Sequence, residues 1–245
     1  MKNRIAVITP YYKESLDVLS KCHESVISQA TDTDHFFIAD GHPRSEIDDW
    51  NVKHITLHSG HSDNGNTPRG IGSLLAIKEG YDFIAYLDAD NWFHENHLVS
   101  LLQLWNKTKA PVCCAMRTFH HLNGEMMRVA DNDENEFKFV DTSCYLIHRD
   151  AFDCLDIWHK MPSELSPICD RVFYSTILHN RYSIAFSKLR TVAFRTQYKS
   201  HYKHLKSNVP NDLKDRVWEA PYQYLRTFKG VRETIEKIGF FPSKI

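Results

Sequence analysis

Two aspartates one residue apart, Asp88 and Asp90, close an apolar run from Phe83 to Leu87 that contains no turn residue. Along a strand, residues i and i+2 face the same side, so the spacing sends both carboxylates into one small volume at the strand's C-terminal end. Two anions that close repel unless something positive lies between them. A hard divalent cation meets that need, and Mg²⁺ commonly takes one or two carboxylates together with substrate phosphates. The plainer reading is a polar turn after a buried strand, since Asp and Asn favour turns.

The elements that must position this pair follow from hydrophobic periodicity. Arg4–Thr9 reads as a buried strand ended by Pro10, and Ser15 as the cap of a helix running to about Ala30. His35–Ala39 and His54–Leu57 are short strands, the first closing on Asp40-Gly41. His58–Asn66 is a polar, glycine-containing loop. From Thr67 the pattern turns helical, with Ile71, Leu74, Leu75 and Ile77 as the expected apolar stripe. A helix over His97–Trp105 and a strand over Pro111–Met116 follow, then the acidic stretch Asp131–Glu136, read as a loop. Phe137–Val140 and Ser143–Ile147 suggest one bent strand or two short ones, Ala151–Trp158 a helical turn and Ser166–Leu178 a helix. Tyr182–Phe186 and Thr191–Phe194 read as two strands, with helices near Asp212–Thr227 and Val231–Ile238. Strands alternating with helices, with polar residues at the strand ends, predict an α/β fold with a mostly parallel central sheet.

A chain of 245 residues with 42% hydrophobic and 25% charged residues suits one folded domain. Its net charge of −1 gives no reason to expect a nucleic-acid partner. Charge is uneven, with 14 Lys+Arg against 5 Asp+Glu from Arg181 onward. The six cysteines form no C-x-x-C pair, which points to free thiols in a reducing compartment. The first residues lack a signal-peptide pattern and no run reaches the length of a membrane span, so a cytoplasmic location is expected.

Four stretches, in order, resemble the nucleotide-sugar-dependent inverting glycosyltransferases of family 2, which have the A-type fold. They are Thr9-Pro10-Tyr11-Tyr12-Lys13-Glu14, Asp40-Gly41, Thr67-Pro68-Arg69-Gly70-Ile71-Gly72 and Tyr86-Leu87-Asp88-Ala89-Asp90-Asn91. The resemblance covers roughly the first 200 residues. It implies an A-type domain over 1–205, with a nucleotide-binding half to about 95 and an acceptor half after it. The basic, aromatic residues 206–245 would be a helical extension packed on that domain. It further implies a nucleoside-diphosphate sugar, with a lean to uridine, as donor, and Mn²⁺ or Mg²⁺ as cofactor. Thr9, Tyr11, Glu14, Asp40, Arg69, Asp88 and Ala89 would hold the donor, with Tyr11 against the base, Asp40 accepting its N–H and Asp88 on the ribose. Asp90 would ligate the metal, with His201 or His204 as a later ligand.

Transfer also needs a carboxylate to take the acceptor's proton. By the resemblance this is Asp170 in Ser166-Pro167-Ile168-Cys169-Asp170-Arg171, where Cys169 stands in place of the family's Glu. A helix cap is the other reading of Asp170, and Asp141 is the reserve base. The acceptor would be a glycan, a lipid-linked molecule or a small molecule. The basic tail has three readings: it covers the core, docks a second copy, or lies on an anionic membrane. The rival activities are nucleotidyl transfer, D-x-D phosphatase chemistry and non-catalytic binding on the same scaffold. The first lacks its Gly-rich opening loop here, and the second lacks its Thr or Val where Trp92 stands.

Overall fold

The computed structural model describes residues 3–129, 139–202, 210–211, 213–215, 219–242 and 245. Its strands are β1 (Ile5–Tyr11), β2 (Thr33–Asp40), β3 (Lys53–Leu57), β4 (Phe83–Tyr86), β5 (Trp92–Phe93), β6 (Val112–His120), β7 (Tyr145–His148) and β8 (Ile184–Arg195). The helices are α1 (Leu16–Ile27), α2 (Asn66–Lys78), α3 (His97–Thr108), α4 (Ile157–Lys160), α5 (Cys169–His179), α6 (Lys199–Tyr202), α7 (Glu219–Leu225) and α8 (Phe228–Ile238).

All eight strands form one sheet in the order β3-β2-β1-β4-β7-β6-β8-β5. The half from β3 to β4 is wholly parallel. Beyond it β7 runs antiparallel to both β4 and β6, while β8 returns parallel to β6. The sheet is therefore mixed but mostly parallel, as expected, with four of its seven strand pairings parallel. The two strands expected between Tyr182 and Phe194 are one, β8, which carries an irregular register against Met116 and a left-handed Lys188 at φ 58°. The bulge re-aims the strand without ending it.

β1 and β4 are buried throughout because helices cover both faces of the parallel half. α2 reaches that sheet by a route the apolar stripe did not predict. Its inward face is Gly70, Gly72, Ser73 and Ala76, whereas Leu74 and Ile77 point outward, at 57% and 38% exposure. A Cβ on Gly72 would lie 2.6 Å from Ile8 Cγ2, so the helix lies too close to β1 for a larger residue. Close approach thus outweighs hydrophobic periodicity at this position.

The C-terminal segment packs on the same body. Leu225 joins the core, with Tyr222, Tyr224, Ile238 and Ile245 against it, and Phe240 stacks on His179 at 4.1 Å. Thr227 caps α8 through Gly230 N–H, and Gly239 ends it at φ 86°. Phe228 stays 84% exposed. Trp218, His204 and the acidic Asp131–Glu136 lie outside the described residues. Among the described residues no helix is long and apolar enough to cross a membrane.

Candidate active site

Beyond the C-terminal ends of β1, β2 and β4 opens a cavity of about 750 Å³. Ligands of parallel α/β sheets bind at this edge. Tyr11, Glu14, Asp40, Arg69, Asp88, Ala89, Asp90, Asp170 and His201, which the sequence scatters over 191 positions, all line it. Thr9 does not. Its side chain is fully buried, and Oγ1 lies 2.8 Å from His35 Nε2.

β1 delivers Tyr11, but its ring is only 2% exposed and packs edge-on against Phe37. His54 Nδ1–H donates to Asp48, which leaves Nε2 to accept from the Tyr11 hydroxyl at 2.7 Å. That hydroxyl also accepts Arg44 N–H. The next residue, Tyr12, is 42% exposed and lines the cavity, so it offers the more accessible ring. Its N–H donates to Glu14 Oε2 at 2.7 Å, which folds the chain after β1 and brings Glu14 to the cavity.

β4 ends at Tyr86, so Asp88 and Asp90 stand in a turn closed by Asn91 N–H on the Asp88 carbonyl. The turn gives the two carboxylates different partners. Arg69, from the first turns of α2, donates Nη2–H to Asp88 Oδ1 at 2.5 Å and Nη1–H to the Asn64 carbonyl at 2.8 Å. Gln197, just past β8, donates to Asp90 Oδ2 at 2.8 Å. Asn91 carries no chemistry, but it ties β4 to β8 by accepting Arg195 N–H.

Burial pushes the Asp90 carboxyl up to about 7, and the negative charges of Asp88 and Glu14 add to it, against the Gln197 hydrogen bond and Arg195. A cation would relieve that repulsion, and carboxylate oxygens suit Mg²⁺ or Mn²⁺. Among the described residues no three His, Cys, Asp or Glu side chains gather to hold a metal by themselves. The described residues thus form no closed protein cage, and an ion held here would need further ligands from a bound molecule. His201 lines the cavity with Nδ1 2.6 Å from Thr196 Oγ1 and its ring against Phe119.

Across the cavity, a 3₁₀ turn over Ser163–Ile168 leads into α5 and sets Cys169 and Asp170 on the wall. Burial, more than the nearby Asp141, raises the Asp170 carboxyl to about 6, although Arg171 beside it pulls the other way. Its Oδ1 accepts Arg171 N–H at 2.8 Å. Asp141, the reserve candidate, is bound by Arg117 at 2.6 Å and accepts Ser143 N–H. Burial raises the Asp141 carboxyl as well, against the pull of Arg117, so what sets Asp141 apart is that ion pair. Cys169 is half-buried, and its thiol is pushed up to about 12 by burial, so it stays neutral in place of a family carboxylate.

Two contributors escape sequence reasoning. Gln197 lies 107 positions from Asp90, and no local pattern marks it. Tyr12 was visible as one of two adjacent tyrosines, but only the fold settles which of them faces out.

The family model described as Glycosyl transferase family 2 matches residues 6–155. Among solved structures, S. aureus TarS 1-349 superposes with a TM-score of 0.59 at 16% identity, over 78% of this chain and 60% of that one. The same protein in complex with UDP gives 0.60 at 15% identity, over 79% and 60%. In complex with UDP-GlcNAc it gives 0.58 at 13% identity, over 84% and 62%. The chain thus spans about three fifths of those structures, and likeness at this identity speaks to the fold. No curated protein matches the sequence. With more than half of its residues matched by the family model, the chain belongs to glycosyl transferase family 2.

Proposed function

We propose that the chain is a metal-dependent, inverting glycosyltransferase that moves a sugar from a UDP-sugar to an acceptor hydroxyl. The observation that carries this reading is one cavity lined by both the Asp88–Asp90 turn and Asp170, whose carboxyl is raised to about 6. The TarS complexes with UDP and UDP-GlcNAc support the choice of uridine. Tyr12 and Asp40 take the base, Asp88 the ribose, and Arg69 lends positive charge near the diphosphate while it holds Asp88 in place. Glu14 and the Ala89 backbone complete the donor wall.

Asp90, with Asp88 in the same turn and the donor's phosphates completing the shell, would hold Mn²⁺ or Mg²⁺, which would neutralise charge on the departing diphosphate; His201 lines the same cavity. Asp170 accepts the proton of the attacking hydroxyl. A base raised to about 6 is ionised at neutral pH yet keeps driving force for that transfer. The hydroxyl belongs to a glycan, a lipid-linked molecule or a small molecule. For a lipid-linked one, exposed Phe228 between Arg226 and Lys229 is where the tail would meet an anionic bilayer.

Slow Mn²⁺-dependent release of UDP from a UDP-sugar, with thermal stabilisation by UDP, tests the reading. Binding without turnover would instead favour a nucleotide-sugar-binding protein, the role that neutral Cys169 leaves open.

A further inference from the structure

Asp40 is 6% exposed, and among the described residues its carboxylate accepts two hydrogen-bonding groups from one residue, His61. The His61 ring donates Nδ1–H to Oδ1 at 2.6 Å, and its backbone N–H lies 3.2 Å from each oxygen. The backbone of the loop that carries His61 also lies close against the Asp40-Gly41 turn. A Cβ on Gly41 would lie 2.2 Å from Gly60 N, and Gly41 sits at φ 78°, so only glycine lets the loop come this close. On the other side, a Cβ on Gly60 would be 3.2 Å from the Tyr12 ring. The Asp40-Gly41 turn therefore seats His61 on Asp40 and packs the same loop behind Tyr12.

His61 does not line the cavity, whereas Asp40 does. An ionised carboxylate offers about four acceptor directions and no donor. His61 fixes the carboxylate's rotation from behind and leaves its cavity side to a ligand. So held, Asp40 accepts a base edge that presents an N–H, as uracil does, and refuses one that presents a lone pair there, as cytosine does. We infer that His61 is a positioning residue for the base subsite, which orients Asp40 and so sets selectivity for a uridine over a cytidine donor. This rests on the reading of the cavity as a UDP-sugar site.

The test is equilibrium binding of UDP and CDP with Mn²⁺ to the intact chain, by calorimetry, for wild type, His61→Ala, His61→Asn and Asp40→Asn. UDP-sugar hydrolysis gives KM and kcat alongside. His61→Ala should weaken UDP binding by about 10-fold, the scale of one charge-assisted hydrogen bond. It should shrink the UDP-over-CDP ratio by a similar factor and raise the donor KM while kcat stays within about twofold. His61→Asn places an amide N–H near the position of Nδ1 and should recover most of the loss, which a merely structural role would not require. A His61→Ala chain that binds UDP as tightly and as selectively as wild type overturns the inference, as does an equal loss for UDP and CDP. If His61→Ala does not fold, His61→Asn against His61→Gln carries the same comparison, and equal selectivity in those two overturns it as well. A wild-type chain that binds no uridine nucleotide defeats the parent reading. Selectivity lost in Asp40→Asn but retained in His61→Ala defeats only this one.

Discussion

Replacing Asp170 by Asn should cut transfer sharply, by removing the base, and make the protein more stable, by removing a desolvated charge. The carboxyl sits at about 6 in the fold against an ordinary 3.8. At 1.36 kcal/mol for each decade, that difference is worth about 3 kcal/mol of destabilisation once the group is ionised. Asp170 is half-buried on a cavity wall, and water there screens part of it, which leaves roughly 1–2 kcal/mol. The sign follows from proton counting. Between pH 4 and 6 the folded chain holds a proton that the unfolded chain has released, so wild-type stability from this group falls as pH rises through that window and is level above it. Asn never ionises and can still accept Arg171 N–H. Thermal melts should therefore show the variant about 2–8 °C above wild type at pH 8 and equal to it at pH 4. Donor binding should be retained and transfer reduced by 10²–10⁴-fold, about the contribution of a general base. In wild type, kcat should fall about tenfold for each pH unit below about 6. A variant no more stable at pH 8 than at pH 4, relative to wild type, would refute the desolvated carboxyl. Full transfer would refute its role.

Asp90→Ala should leave UDP binding weak and insensitive to Mn²⁺, with affinity down at least about 100-fold; calorimetry with and without the ion decides it. Arg69→Ala strips the partner from Asp88 and from the Asn64 carbonyl. Because Asp88 is 29% exposed, the loss should be roughly 2–3 kcal/mol in denaturant melts, below that for a fully buried pair. Gly72→Ala puts a methyl 2.6 Å from Ile8 Cγ2 and should cost roughly 1–3 kcal/mol, whereas Ser20→Ala, which removes only an exposed hydrogen bond to Glu24 on α1, should cost under about 0.5 kcal/mol. A Gly72→Ala chain as stable as wild type would show that α2 can stand further from β1.

Much of the fold was legible because apolar runs of four to seven residues ending in polar residues are a strong local signal. β1 to β4, α1, α3 and α5 lie close to where periodicity places them. α2 was found, but its facing was not. The large apolar side chains Leu74 and Ile77 point out, because the distance to β1 at the inward face admits only small residues such as Gly72, Ser73 and Ala76. The antiparallel β7 and the continuous β8 were also beyond local reading, since strand direction is set by the connection and not by composition.

By itself the sequence determined where the acidic turn and the strand-end motifs fall, because strand alternation, turn preference and like-charge repulsion act between near neighbours. The partner of each group came only with the tertiary structure. Arg69 sits on Asp88, Gln197 on Asp90, His61 on Asp40 and Arg117 on Asp141, each from 19 or more positions away. Those pairings decide which carboxylate is held by an arginine, which by an amide and which by a histidine. Burial and Coulomb terms depend on distance in space, and a linear chain does not record that distance.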